Sequence, residues 1–212
     1  MSTDQPQRPP PALIVVGGFA GTGKSTLSRR LSGEFRTPRL GSDTLGRTLR
    51  HSLGSKRSEV DAYRLAYDLL FRLGEEFIQS GVSVILDLTM GWEFQWRQAD
   101  SIVRRYPQTL FLPIILRCPY EICIERIRQR HAADPDYYDP PELYQTKPKI
   151  LRVWEYLACL NRPDIYFVDA GRPHDEVYEA VRGYISSRCF PLKIEEGDAA
   201  PASHIFKLSP FK

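Results

Sequence analysis

The segment Gly18-Phe19-Ala20-Gly21-Thr22-Gly23-Lys24-Ser25-Thr26 follows the apolar run Leu13-Ile14-Val15-Val16 with only Gly17 between them. Together they set a strand, a tight glycine turn and a helix in that order, because Leu27-Ser28-Arg29-Arg30-Leu31 continues as a helix former. The pattern is G-x-x-x-x-G-K-[ST], in which glycines let the backbone curl so that successive N–H groups and the next helix start point at one anion. Lys24 is then a mobile point charge for the outer phosphates of a polyphosphate chain, and the Ser25 hydroxyl suits a hard Mg²⁺ ion. Gly18, Phe19, Ala20, Gly21, Thr22, Gly23, Lys24, Ser25 and Thr26 are the expected ligand-binding run.

The rest of the chain is organised around that unit. Short β-branched runs alternate with longer helical patterns, the signature of a parallel sheet wrapped by helices. The expected strands are Leu13 to Val16, Arg39 to Gly41, Val82 to Leu86, Thr109 to Leu116 and Ile165 to Val168. The expected helices are Lys24 to Glu34, Asp43 to Leu53, Ser58 to Gln79, Trp92 to Arg105, Tyr120 to Gln129, Pro141 to Leu160 and His174 to Ser187. Gly81 is a natural stop for the third of these. With 212 residues, 42% of them hydrophobic, one well-cored domain is expected over 13–187, with a disordered leader over 1–12 and a tail over 188–212. The proline- and aspartate-rich stretch from His131 to Pro141 reads as a mobile flap, placing a lid at about 131–149.

Composition narrows the class further. The formal net charge of +3 does not demand a nucleic-acid partner, although 29 basic residues leave room for a local basic cleft. The four cysteines, Cys118, Cys123, Cys159 and Cys189, have no C-x-x-C spacing, so neither zinc nor a disulfide framework is expected, and reduced buried thiols in a cytoplasmic protein fit instead. No apolar run approaches a membrane span, and the polar, proline-rich start lacks the apolar stretch of a secretion signal.

Three further places carry candidate chemistry. Asp43 and Arg47 follow the second strand, at the carboxyl edge of the sheet where open α/β folds bind ligands. Asp43 can accept the proton of an attacking hydroxyl or simply start its helix, and Arg47, one turn on, can hold a substrate phosphate or carboxylate or lie in solvent. Asp87 ends an apolar strand, as a Walker-B acid does beside Mg²⁺, with Thr89 two residues on as a possible substrate contact. A loop-capping aspartate is the competing view. Arg126 and Arg130 are four apart on one helix face, so both can reach a cleft that a flap closes, or form a solvated cluster at a helix C-terminus. Trp92, Phe94 and Trp96 suit a core more than base stacking, and His51 a surface place.

In its order of parts the chain resembles the small P-loop kinases, the group of gluconate-kinase-like enzymes, chloramphenicol phosphotransferase, zeta toxins and polynucleotide-kinase domains. The resemblance covers roughly 13–187 and rests most specifically on the phosphate loop. It implies a three-layer α/β fold with a five-stranded parallel sheet in order 2-3-1-4-5, helices on both faces and a lid. ATP with Mg²⁺ would be the phosphoryl donor. Lys24 and Ser25 would be the loop lysine and metal hydroxyl, Asp43 the general base, Arg126 and Arg130 the lid arginines, and the turn Val168 to Pro173 a border of the adenine. The acceptor would be a hydroxyl of a small molecule or a nucleic-acid 5′ end, and Arg50, His51, Tyr63 and Arg64 in the acceptor region form no signature that names it. Whether Arg47, Arg50, Lys56 and Arg57 form a basic track is open at this level. An ATP-binding regulatory module or an ATPase without kinase activity is the other reading of the same loop. A GTPase is disfavoured, since Thr146-Lys147-Pro148-Lys149 has lysine where the guanine-binding acid should stand.

Overall fold

The computed structural model describes residues 9–53 and 59–189, so the expected tail beyond 189, most of the leader, Lys56 and Arg57 lie outside the described residues. β1 (Ala12–Gly18) is buried along its whole length, as a central parallel strand covered on both faces must be. It pairs in parallel with β3 (Val84–Asp87) and with β4 (Leu110–Arg117), while β2 (Arg39–Gly41) and β5 (Tyr166–Asp169) form the edges. The order is β2-β3-β1-β4-β5, all parallel, as the resemblance implied.

Side-chain alternation along β1 divides the interior in two. Leu13 and Val15 enter a core with Leu70, Phe71 and Ile78 of α3 (Glu59–Gln79), Trp96, Ala99 and Ile102 of α4 (Glu93–Arg105), and Val153 and Leu157 of α7 (Pro148–Cys159). Ala12, Ile14 and Val16 face the other way, onto Leu27 and Leu31 of α1 (Lys24–Phe35) and Val177, Val181 and Ile185 of α8 (His174–Cys189). Gly81 ends α3 with φ 73°, its N–H on the Ile78 carbonyl and the Val82 N–H on that of Phe77, the two bonds of a Schellman stop.

α2 (Ser42–Leu53), α5 (Tyr120–Ala133) and the short α6 (Pro141–Thr146) complete the fold. Several boundaries differ from expectation. β3 starts at Val84, because Ser83 spends its hydroxyl on the Ala12 N–H and Val82 closes the α3 stop. β4 and β5 begin one residue late, after Thr109 and Ile165 bond back into turns. The helix expected from Pro141 to Leu160 is two. Pro148 has no N–H to continue the ladder and pushes Lys147 to an extended conformation (φ −81°, ψ 114°), so α6 stops there and α7 starts anew. α5 runs on to Ala133, so the irregular part of the lid is confined to 134–140. Cys159 is exposed rather than buried, because it ends α7 on the solvent side.

Candidate active site

The phosphate loop is already curled around its own lysine. Gly18, Gly21 and Gly23 adopt φ of 145°, 81° and 91°, conformations only glycine takes without strain. The Lys24 Nζ donates to the Phe19 carbonyl at 2.9 Å, and the Thr22 hydroxyl donates to the same oxygen at 2.8 Å. Lys24 is 9% exposed, a buried ammonium whose counter-charge within the loop is only a carbonyl dipole. Ser25 and Thr26 stand in the first turn of α1, where unpaired N–H groups favour an anion. At Gly21 an added Cβ would lie 2.4 Å from the Cys123 carbonyl, so α5 rests directly on the loop backbone. Burial pushes the Cys123 thiol up to about 12 and leaves it an inert packing group.

Arg126 joins the loop from α5, donating to the Ala170 carbonyl at 2.9 Å and approaching the Gly21 carbonyl at 3.5 Å. Arg130, one turn on, instead lies 5.3 Å from the centre of the Tyr138 ring in the lid. The two arginines expected to act together therefore stand at the two borders of one site: Arg126 tied to the loop and the turn after β5, Arg130 to the flap.

Asp43 and Arg47 project from the first two turns of α2, with Asp43 exposed in its first turn. Arg47 stacks on Tyr137 of the lid and donates to its hydroxyl. Tyr144 of α6 joins the region after the flap to the loop. It packs edge-on against Phe19, with ring centres 6.3 Å apart. Its phenol is pushed up first by burial and then by the carboxylates of Asp139 and Asp43, while Arg130 draws it down. Asp43 and Arg130 thus act on that phenol in opposite senses. Sequence reasoning passed over Tyr144, whose only local signal is an aromatic residue in a short proline-led helix.

The tip of β3 holds a second polar group. Tyr67 Oη and Gln95 Nε2 each lie 3.3 Å from Thr89 Oγ1, and burial raises the Tyr67 phenol, with Asp43 contributing. Gln95 is fully buried, and the Thr89 carbonyl accepts the Gly18 N–H at 3.0 Å, linking this cluster to the loop. The next residue, Met90, is buried at φ 54° with its carbonyl bound by the Trp96 indole. Trp96 is core, as expected, and Phe94 stands edge-on to Tyr67. Asp87 is 3% exposed and engaged by Ser28 and Arg39, a partner the strand pattern did not suggest.

Among the described residues no group of three or more His, Cys, Asp or Glu side chains can hold a metal. The Ser25 hydroxyl and the Asp87 carboxylate, the donors expected for Mg²⁺, are hard oxygens of the type that ion takes, and phosphate oxygens would have to complete its shell. At the carboxyl ends of β4 and β5 a cavity of about 360 Å³ opens behind Phe19, walled by Trp154, Leu157, Phe167, Val168 and Asp169. Val168 and Asp169 belong to the turn expected to border a base. No helix among the described residues is long and apolar enough to cross a membrane.

Comparison with known proteins agrees with this architecture. A provisionally assigned kinase from Chloroflexus aurantiacus is 23% identical, with a TM-score of 0.63 over 86% of this chain and 100% of that one. A gluconokinase from Sinorhizobium meliloti is 19% identical (TM-score 0.56; 86% and 95% covered), and a shikimate kinase from Aquifex aeolicus 20% identical (TM-score 0.59; 84% and 98%). At these identities the likeness is one of fold: the chain has the small P-loop kinase fold. No functionally curated protein matches the sequence significantly. The family model AAA_33, described as an AAA domain, matches residues 13–143, more than half of the chain and all of the loop, Asp43, Asp87 and Arg126/Arg130 region, so the chain belongs to that family.

Proposed function

We propose that the protein is an ATP-dependent phosphotransferase that moves the γ-phosphoryl group of ATP to a hydroxyl of a small molecule. The observation that supports this reading is the glycine loop curled around the buried Lys24, with Arg126 of α5 reaching its Gly21 carbonyl and the helix that carries Asp43 joined to the flap through Arg47 and Tyr137. A regulatory nucleotide sensor needs the loop but not a flap clasped to the helix that carries Asp43.

In this reading the loop N–H groups and the start of α1 cradle the phosphates, and Lys24 exchanges its bond to the Phe19 carbonyl for the outer phosphate oxygens. Asp43 orients the acceptor hydroxyl and takes its proton, and Arg47 and Thr89 contact the acceptor. Arg126 and Arg130 offset charge developing on the transferred group as the lid closes, excluding water. Ser25 and Asp87 are the residues that would hold Mg²⁺, which when bound neutralises phosphate charge and orients the donor.

An ADP-release screen over sugars, polyols, nucleosides, antibiotics and a 5′-hydroxyl oligonucleotide tests it. One acceptor should raise turnover, Asp43→Ala should lower that turnover by about 10²–10⁴-fold with ATP binding kept, and Lys24→Ala should weaken ATP binding itself. ATP binding with no acceptor-stimulated release across the screen favours a sensor. A response to the oligonucleotide alone moves the acceptor class to nucleic acid.

A further inference from the structure

The most closely knit polar cluster beside the loop lies one helical turn below Ser25. Arg39 donates through Nη2 to Asp87 Oδ2 and through Nε to Ser28 Oγ at 2.7 Å, and the Ser28 hydroxyl donates to the same Asp87 oxygen at 2.9 Å. The three side chains close a ring that ties β2, α1 and β3 together. Register explains it: Gly41 pairs with Asp87 and Arg39 with Ile85, so Arg39, Gly41 and Asp87 share the face that looks onto α1. The guanidinium passes over Gly41, where a Cβ would lie 3.0 Å from Nη2 and 3.3 Å from Cζ. The sequence Arg-Leu-Gly on the edge strand is therefore what lets a cation reach the acid at the tip of β3.

This changes what the acid offers a metal. Both bonds go to Oδ2, and among the described residues Oδ1 accepts none, so the carboxylate is fixed in orientation while much of its charge is already met. The Arg39 side chain is only 17% exposed, so water screens its charge poorly, and it repels a divalent ion arriving at Ser25 alone. A polyphosphate brings several negative charges with the ion and reverses that balance.

We propose that Arg39 is a positioning residue for the metal site: it orients Asp87 and offsets its charge, so that the loop takes up Mg²⁺ together with nucleotide phosphates and not as a free ion. This rests on the reading of the loop as a nucleotide site, and not on the identity of the acceptor. Arg39→Gln should uncover the carboxylate and give the nucleotide-free protein a divalent site. Arg39→Lys keeps the charge and should not.

The test is Mn²⁺ binding followed by loss of the free-ion EPR signal, with and without ADP, alongside ADP binding by calorimetry. Wild type and Arg39→Lys should bind Mn²⁺ only when ADP is present. Arg39→Gln should bind it without ADP at least about tenfold tighter than wild type, the size of effect a lost charge contact of about 1.4 kcal/mol produces. Arg39→Gln/Asp87→Asn should lose that gain. A purely structural role would lower the melting temperature of Arg39→Gln and create no metal site. Mn²⁺ binding to ADP-free wild type as tight as in its presence, or a gain in Arg39→Lys, overturns the proposal even if Arg39→Gln does not fold. Intact Mn·ADP binding with no gain in Arg39→Gln overturns it alone, whereas failure of ADP to bind wild type overturns the nucleotide reading as well.

Discussion

The Arg47 guanidinium lies 4.2 Å from the centre of the Tyr137 ring and donates a 2.6 Å hydrogen bond to the Tyr137 hydroxyl, joining α2 to the irregular segment between α5 and α6. Tyr137 itself is held by its N–H on Asp134 Oδ1, and the segment is tied back to α5 by His131 Nδ1 on the Tyr138 carbonyl at 2.7 Å. The flap is thus clasped to the helix that carries Asp43. A residue expected to bind substrate is occupied by the lid, so an acceptor that uses Arg47 must first displace Tyr137.

Removing the clasp should loosen the flap without disturbing the core. Both partners are at least partly exposed, so the stack and bond together are worth roughly 1 kcal/mol, about a fivefold change in an open–closed equilibrium. In Tyr137→Ala, the backbone amides of Asp134 and of residues 136–139 should exchange hydrogen about fivefold faster, with β1 unchanged. Tyr137→Phe keeps the ring and should fall between. Equal exchange in all three proteins would show that the clasp does not hold the flap.

Gly21 carries a steeper penalty. Its φ of 81° disfavours any side chain, and a Cβ would stand 2.4 Å from the Cys123 carbonyl, a backbone atom of a packed helix that cannot swing aside. Gly21→Ala should cost at least about 2 kcal/mol in stability and lift the loop off α5. The expected result is a lowered melting temperature together with loss of the thermal shift that, on the proposed function, ATP should give the wild type. A variant that keeps the ATP shift would show that the loop tolerates the displacement.

How much of this was readable in advance follows the range of the interactions. The loop, β1 and the start of α1 are a local code, glycine freedom beside an apolar run: α1 starts at Lys24 as read, while β1 extends beyond Leu13 to Val16 to cover Ala12–Gly18. β2 is only three residues long yet legible, because Ser42 and Asp43 begin a helix straight after it. Pro148 was visible too, but apolar periodicity through Ile150, Val153, Trp154 and Leu157 hid the break, although the missing N–H overrides it. Arg39 and Tyr144 were missed for another reason. Arg39 meets Asp87 across 48 residues, and Tyr144 meets Phe19 only once the lid folds back. Neither contact leaves a periodic trace. The pairing of Arg126 with Arg130 was inferred from helix geometry, which put them on one face but did not say that the loop would claim one and the flap the other.

Not every glycine is needed. Gly33 lies inside α1, exposed, with nothing within 4 Å of an added Cβ, and its φ is not in the left-handed region. Its cost is the backbone freedom that it loses on folding. Gly33→Ala should stabilise the protein by about 0.5–1 kcal/mol, a rise of roughly 2 °C in melting temperature, with ATP binding unchanged. A fall would mean that α1 must flex at this point.

Arg162 clamps the stretch between α7 and β5 to α4, with Nη1 and Nη2 on Asp100 at 3.0 and 2.9 Å, further bonds to Asp164 and its guanidinium 4.6 Å from the centre of the Trp96 ring. These bonds hold the Asp164 carboxyl below the usual carboxylate range. A carboxyl depressed in the folded state adds stability that is fully present above its unfolded pKa of about 3.9 and disappears as pH falls through the folded value. Asp164→Asn should therefore lower the melting temperature at pH 7 and leave it the same as wild type once both proteins are measured below the folded value. The pair is partly exposed, so the loss at pH 7 should be small, about 0.5–1 kcal/mol, and should shrink with added salt. Arg162→Met removes the bonds to Asp100 as well as the stack on Trp96, so it should cost more and also shift the Trp96 indole emission. If Asp164→Asn costs the same at low and neutral pH, the Asp164 charge is not what holds the clamp, and the bonds to Asp100 with the packing on Trp96 are.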